Sequence, residues 1–162
     1  MMKKSFIAVL LSVVFITSCS TNSVIDVVNA DLLDEEFAVA SVTVNNSTGQ
    51  AFDIDIESML TKGLLDELGS QSILDETGGK FNLDVSIVQY EKGNAFARWM
   101  VPGMGATVLS VEASLKDSSG SIVAQSQATK SIGAGGGYTI GAWSTVFKDI
   151  SKTLVADLVS IK

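Results

Sequence analysis

The hydrophobic pattern opens with a near-continuous apolar run, Phe6 to Ile16 (FIAVLLSVVFI), behind the basic start Met1-Met2-Lys3-Lys4. Spanning a bilayer as a helix takes about 20 apolar residues, so this run suits a cleavable export signal better than a transmembrane segment. Beyond it the chain turns to short periods. Phe37 to Val44 (FAVASVTV) alternates in the manner of a strand, and Asn45-Asn46-Ser47-Thr48-Gly49 carries turn chemistry. Ile56, Met59, Leu60, Leu64 and Leu68 recur at spacings of three and four, which predicts a helix that buries one stripe, with Gly69 as its stop. Two clean alternations follow, Phe81-Leu83-Val85-Ile87 and Leu109-Val111-Ala113-Leu115. Asp117-Ser118-Ser119-Gly120 then turns the chain back into a partner strand, Ser121 to Lys130. Trp143, Phe147, Ile150, Leu154, Leu158 and Ile161 fall on one face of a terminal helix.

The order β-α-β-β-β-α predicts an α+β fold, an antiparallel sheet of about four strands with two helices on one face. Residues 1–18 read as the signal, 19–36 as a tether, and 37–162 as a single domain. Val24, Ile25, Val27 and Val28 give the tether enough apolar character to form a strand or a docked segment.

The signal ends at Ile16-Thr17-Ser18-Cys19, which resembles the bacterial lipobox: an aliphatic residue, two small residues and a cysteine. In proteins with that motif the thiol takes a diacylglycerol, and the leader is cut just before the cysteine. Cys19 is therefore the expected lipidation site. The motif also implies a role for the next residue, because Asp there favours inner-membrane retention. Ser20 favours transfer to the periplasmic face of the outer membrane.

Composition narrows the functions. Loss of Lys3 and Lys4 takes the formal charge from −7 to −9, a balance that repels phosphate backbones and argues against nucleic-acid partners. The chain has one cysteine and no histidine, so it forms no internal disulfide and no Ser-His-Asp triad. The commonest transition-metal ligand is missing as well.

Candidate sites are few. Asp53, Asp55 and Glu57 read as helix-start acids, since residues two apart do not share a helical face and no calcium-loop pattern surrounds them. Gly133-Ala134-Gly135-Gly136-Gly137 lacks a Gly-Lys-Ser/Thr ending, and Tyr138 stands where a dinucleotide loop needs its third glycine. The segment Gly93 to Gly105 is the most informative. It joins two strands, yet carries Phe96, Trp99, Met100, Val101 and Met104 among glycines, more apolar than an ordinary surface loop. Arg98, Trp99, Met100 and Met104 are the candidate partner contacts, Arg and Trp being favoured interface anchors; the same apolar groups could instead fold back over the core.

Gly93-Asn94, Arg98-Trp99, Gly103, Gly105, the turn from Asp117 to Val123 and the late glycine cluster together resemble the domain of unknown function 4410 family of small bacterial lipoproteins. That resemblance implies no activity and no catalytic residues. The expectation is a non-enzymatic accessory or interaction protein, held to the outer membrane by lipid on Cys19 and meeting an envelope protein, with no cofactor and no metal. The alternative is a periplasmic carrier of a small molecule or lipid.

Overall fold

A computed structural model describes residues 21–28, 33, 37–93, 100, 105–132 and 140–161. Five strands, β1 (Thr21–Val27), β2 (Val39–Asn46), β3 (Phe81–Glu91), β4 (Thr107–Asp117) and β5 (Ile122–Ile132), form one sheet in the order β1-β5-β4-β3-β2. Two helices, α1 (Ile56–Ser70) and α2 (Ile140–Ser160), pack against each other. The first also packs on β2 and the second on β5 and β1.

The α+β class holds, but the expected sheet is corrected twice. It has five strands, and it is mixed. The strands β2 and β3 are parallel neighbours, Val42 beside Leu83 and Val44 beside Val85. Their connection runs through α1, and such a helical crossover carries the chain back to the end where it began, as parallel neighbours require. The added strand is β1, in the segment read as a tether. It pairs antiparallel with β5 from Thr21 beside Lys130 to Val27 beside Ala124. An edge position supplies a full backbone ladder on one side while asking for little burial, so a strand can form there from a weak apolar pattern.

The buried stripe of α1 is Ile56, Leu60, Leu64 and Leu68, and that of α2 includes Phe147, Ile150, Leu154 and Leu158. They close over Leu83, Val85, Ile87, Leu109, Val111 and Leu115 on the facing side of the sheet. Gly63 lets the helices approach closely, for a Cβ there would lie 2.7 Å from the Ser151 hydroxyl. Helix α1 ends later than expected. Its cap is Gln71, and Ser72, not Gly69, takes the left-handed backbone at φ 57°.

An irregularity in the β3–β4 register between Ile87 and Gln89 changes which face the chain presents. Burial steps from odd positions up to Ile87 to the even position Tyr90. Among the described residues the opposite face of the sheet carries no helix and is largely polar. Ser41 Oγ donates to Asn82 at 2.7 Å, and Lys116 meets the Asp84 carboxylate at 2.6 Å.

Candidate functional site

The register brings several chain ends to one end of the sheet. Tyr90 lies beside Leu109, Leu109 beside Lys130, and Lys130 beside Thr21, while Thr107 lies beside Ile132. The strands β2, β3 and β5 therefore finish where β1 and β4 start. The connections 94–104 and 133–139, which join β3 to β4 and β5 to α2, span from this end.

Six side chains organise it. The Tyr90 hydroxyl donates to Asp53 Oδ1 at 2.5 Å, and Lys92 Nζ lies 2.7 Å from Asp53 Oδ2. Phe52 meets Tyr90 edge-on, Tyr90 tilts against Trp143, and Trp143 stacks on Phe147, with ring centroids 5.1, 5.6 and 5.7 Å apart. Asp53 thus ties the turn after β2 to the end of β3. It lies before the helix, whereas Asp55 is the cap of α1, accepting from the Ser58 backbone N–H at 3.0 Å, and Glu57 sits in the first turn. The three acids read as a group at the helix start have three separate situations.

The segment from Gly93 to Gly105 is pinched at its base. Thr107 Oγ1 donates to the Lys92 carbonyl at 3.0 Å. Gly93 adopts φ +71°, and a Cβ there would meet the Gly105 carbonyl oxygen at 2.8 Å and the Thr107 amide nitrogen at 2.9 Å. Of the partner-contact residues read from sequence, Met100 is described and is 56% exposed. Arg98, Trp99 and Met104 lie outside the described residues, as do Cys19, Ser20 and the glycine stretch 133–137.

A second notable ion pair joins sheet to helix. Lys130 is only 3% exposed, and its ammonium lies 2.7 Å from the Asp149 carboxylate on α2. Nearby, Ser126 Oγ donates to Asp157 at 2.6 Å, and Ser23 Oγ donates to the same carboxylate at 3.2 Å. The strands β5 and β1 are thereby tied to one helix. Sequence patterning did not single out Lys130, because a lysine at an alternating strand position is ordinarily a solvent-facing residue.

The Lys92 hydrogen bond, then that from Tyr90, holds the Asp53 carboxyl below its ordinary range, so it stays ionised. Asp75 and Asp117 are lowered too, by the Gly78 backbone N–H and the Ser119 hydroxyl first of all. A group depressed in the folded state binds its proton more readily when unfolded. Its stabilisation is therefore present above the unfolded value of 3.8 and lost as the pH falls through the folded one. With no histidine to titrate, urea midpoints should be nearly flat from about pH 5 to 8 and decline below about pH 4. A midpoint that moved steeply through pH 6–7 would contradict this assignment of the titrating groups.

Among the described residues no group of three or more Asp, Glu, Cys or His is placed to hold a metal, and no helix is long and apolar enough to cross a membrane. A groove of about 460 Å³ runs along the helices, lined by Met59, Gly63 and Phe147 with Lys62, Asp66, Glu67 and Lys148.

This layered arrangement, a five-stranded mixed sheet with two helices on one face, defines the fold class. The chain belongs to the DUF4410 family, a domain of unknown function whose model matches residues 45–136, more than half of it. Solved structures share the fold. The PelC dodecamer of Paraburkholderia phytofirmans aligns with a TM-score of 0.61 at 16% identity, over 86% of this chain and 97% of that one. A Xanthomonas campestris protein of the DUF330 family aligns at 0.52 and 10% identity, over 76% and 81%. A candidate lipoprotein of Caulobacter crescentus CB15 aligns at 0.51 and 15% identity, over 74% and 88%. A comparison with curated proteins finds no match.

Proposed function

We propose that the chain is a lipoprotein of the cell envelope, anchored through Cys19 to the periplasmic face of the outer membrane. There it serves, without catalysis, as an accessory protein that assembles with copies of itself. The observation that carries the reading is β1. This strand begins just behind the lipobox cysteine, and among the described residues it pairs on one side only, with β5. Val24 is 72% exposed on it, and Val27 and Val28 beside it are exposed as well.

A bare edge strand is a template for pairing, and proteins that do not use one usually blunt it with lysine, proline or short length. Here the strand has seven residues with neither, and a single acid, Asp26. Likeness to a chain that forms a dodecamer supports the self-association. Acylated copies are confined to one membrane plane, which raises their effective concentration and lets a modest edge contact suffice. Ser20 supports transport to the outer membrane. Arg98, Trp99, Met100 and Met104, on the connection from Gly93 to Gly105, are proposed as further partner contacts.

A carrier role is the weaker reading. The helix groove that would serve it is open and rimmed by four charged side chains, a lining better suited to water than to an acyl chain.

The test is the mass of the detergent-solubilised lipoprotein by light scattering, with Val24 and Val28 both replaced by Asp. The wild type should run as a multimer, and the double variant as a monomer with its urea midpoint nearly unchanged. A wild type that gives no crosslinked multimers when reconstituted in vesicles would refute self-assembly.

A further inference from the structure

The geometry points to a membrane-docking surface: the end of the sheet where β1 starts lies against the lipid leaflet that holds the anchor. This rests on the lipid-anchor reading of Cys19. A single residue, Ser20, separates Cys19 from Thr21, the first residue of β1. At about 3.3–3.6 Å per extended residue, the acylated position is within roughly 7 Å of the sheet.

That sheet residue is not free to drift. Its strand is in register with β5 from Thr21 to Val27, and the Val28 amide continues the contact by donating to the Val123 carbonyl at 2.9 Å. Ser23 is also tied to Asp157 of α2. The segment read as a tether thus supplies almost no leash, and the lipid is attached to the folded domain nearly directly.

The rest of that end suits contact with a headgroup layer. Met100 is exposed on the connection from Gly93 to Gly105, whose base opens there, and the Asp53 and Lys92 charges neutralise each other beside it. The opposite end carries the hairpin turn from Asp117 to Ser121, held by Asp117 Oδ1 accepting from the Ser119 and Ser121 amides. It points away from the bilayer. The β1 edge then faces sideways, toward neighbours in the same plane, as does the β2 edge beyond the bridge from Leu74 to Val39.

The test uses the full lipidated protein in phosphatidylethanolamine–phosphatidylglycerol vesicles that carry an acceptor dye on their headgroups. Gln50→Cys places a donor dye in the turn after β2, at the docking end, and Ser118→Cys places one in the far hairpin. Asn46, bonded to Gln50, lies beside Ile87, six residues along β3 from the neighbour of Asp117, so at about 3.3 Å per residue and two to three strands across the two are roughly 25 Å apart. Energy transfer should be at least about twofold stronger from position 50 than from 118. Ten Gly and Ser residues inserted between Ser20 and Thr21 should erase most of the difference, since such a linker spans about 17 Å.

Equal transfer from the two positions, or a difference that survives the insertion, would overturn the docking surface. The unsubstituted chain separates this from failure of the anchor reading. Its sole cysteine should refuse maleimide and the protein should float with vesicles; labelling at Cys19 would defeat both claims, whereas a blocked thiol with equal transfer defeats only this one.

Discussion

Cys19→Ala should abolish the mature, membrane-held form and leave a precursor that still carries residues 1–18. The thioether to diacylglycerol needs a sulfur, and in lipobox proteins the cut before the cysteine follows that modification. Serine should fail equally, since its hydroxyl makes no thioether. The effect is close to all-or-none because anchoring by acyl chains is steep, about 0.8 kcal/mol per buried methylene. One chain holds a protein only marginally, while two or three hold it stably. Fractionation followed by immunoblotting would read the result as a slower-migrating band with no detergent-released mature species. A variant processed and retained as efficiently as the wild type would show that the lipobox resemblance had misled.

A large loss of stability from a single methyl group is expected at Gly93. Gly93→Ala must place a Cβ on a backbone at φ +71°, which costs about 1–2 kcal/mol for an L-residue. The same Cβ meets the Gly105 carbonyl and the Thr107 amide, backbone groups that cannot rotate away. Overpacking of that kind adds about 1–3 kcal/mol, so the total is roughly 2–5 kcal/mol, or a fall in Tm of roughly 10 °C for a domain of this size. Gly120→Ala is the matched control. It shares the left-handed backbone, at φ +86°, but nothing lies within 4 Å of its added Cβ. It should lose only the conformational part, about 1–2 kcal/mol. Equal losses at the two glycines would mean that the base of the Gly93–Gly105 segment is not closely packed.

Much of this architecture is legible in the pattern of apolar residues, and the failures have physical causes. Phe81, Leu83, Val85 and Ile87 alternate because one face of β3 meets helices and the other meets water. The leucines of α1 repeat at three and four for the same reason. The β1 strand lacked such a signature because an edge strand half in solvent can be built from Thr, Asn and Ser. Parallel pairing of β2 and β3 is a property of the connection through α1 rather than of either strand, so reading strands singly missed it. Tyr90 escaped because the register irregularity breaks the period of two just before it.

The candidate site was legible in a different way. The odd composition of Gly93 to Gly105 drew notice, and Gly93 and Gly105 prove to be its packed base. Asp53 was grouped with its neighbours in sequence, whereas its partners, Tyr90 and Lys92, are distant along the chain. Nothing local announces such a contact. Lys130 and Asp149 are hidden for the same reason, a strand residue and a helix residue brought together only by the packing of α2 on β5.

On the proposed reading, a lipid on the nineteenth residue is joined to the edge of a folded sheet with one residue between. Intact-mass analysis of the protein purified from membranes, with fragmentation of its amino-terminal peptide, tests this most directly. The expected species is a chain that starts at Cys19 and carries diacylglycerol on its sulfur. A free thiol at Cys19, or a chain still bearing Met1 to Ser18, would contradict it.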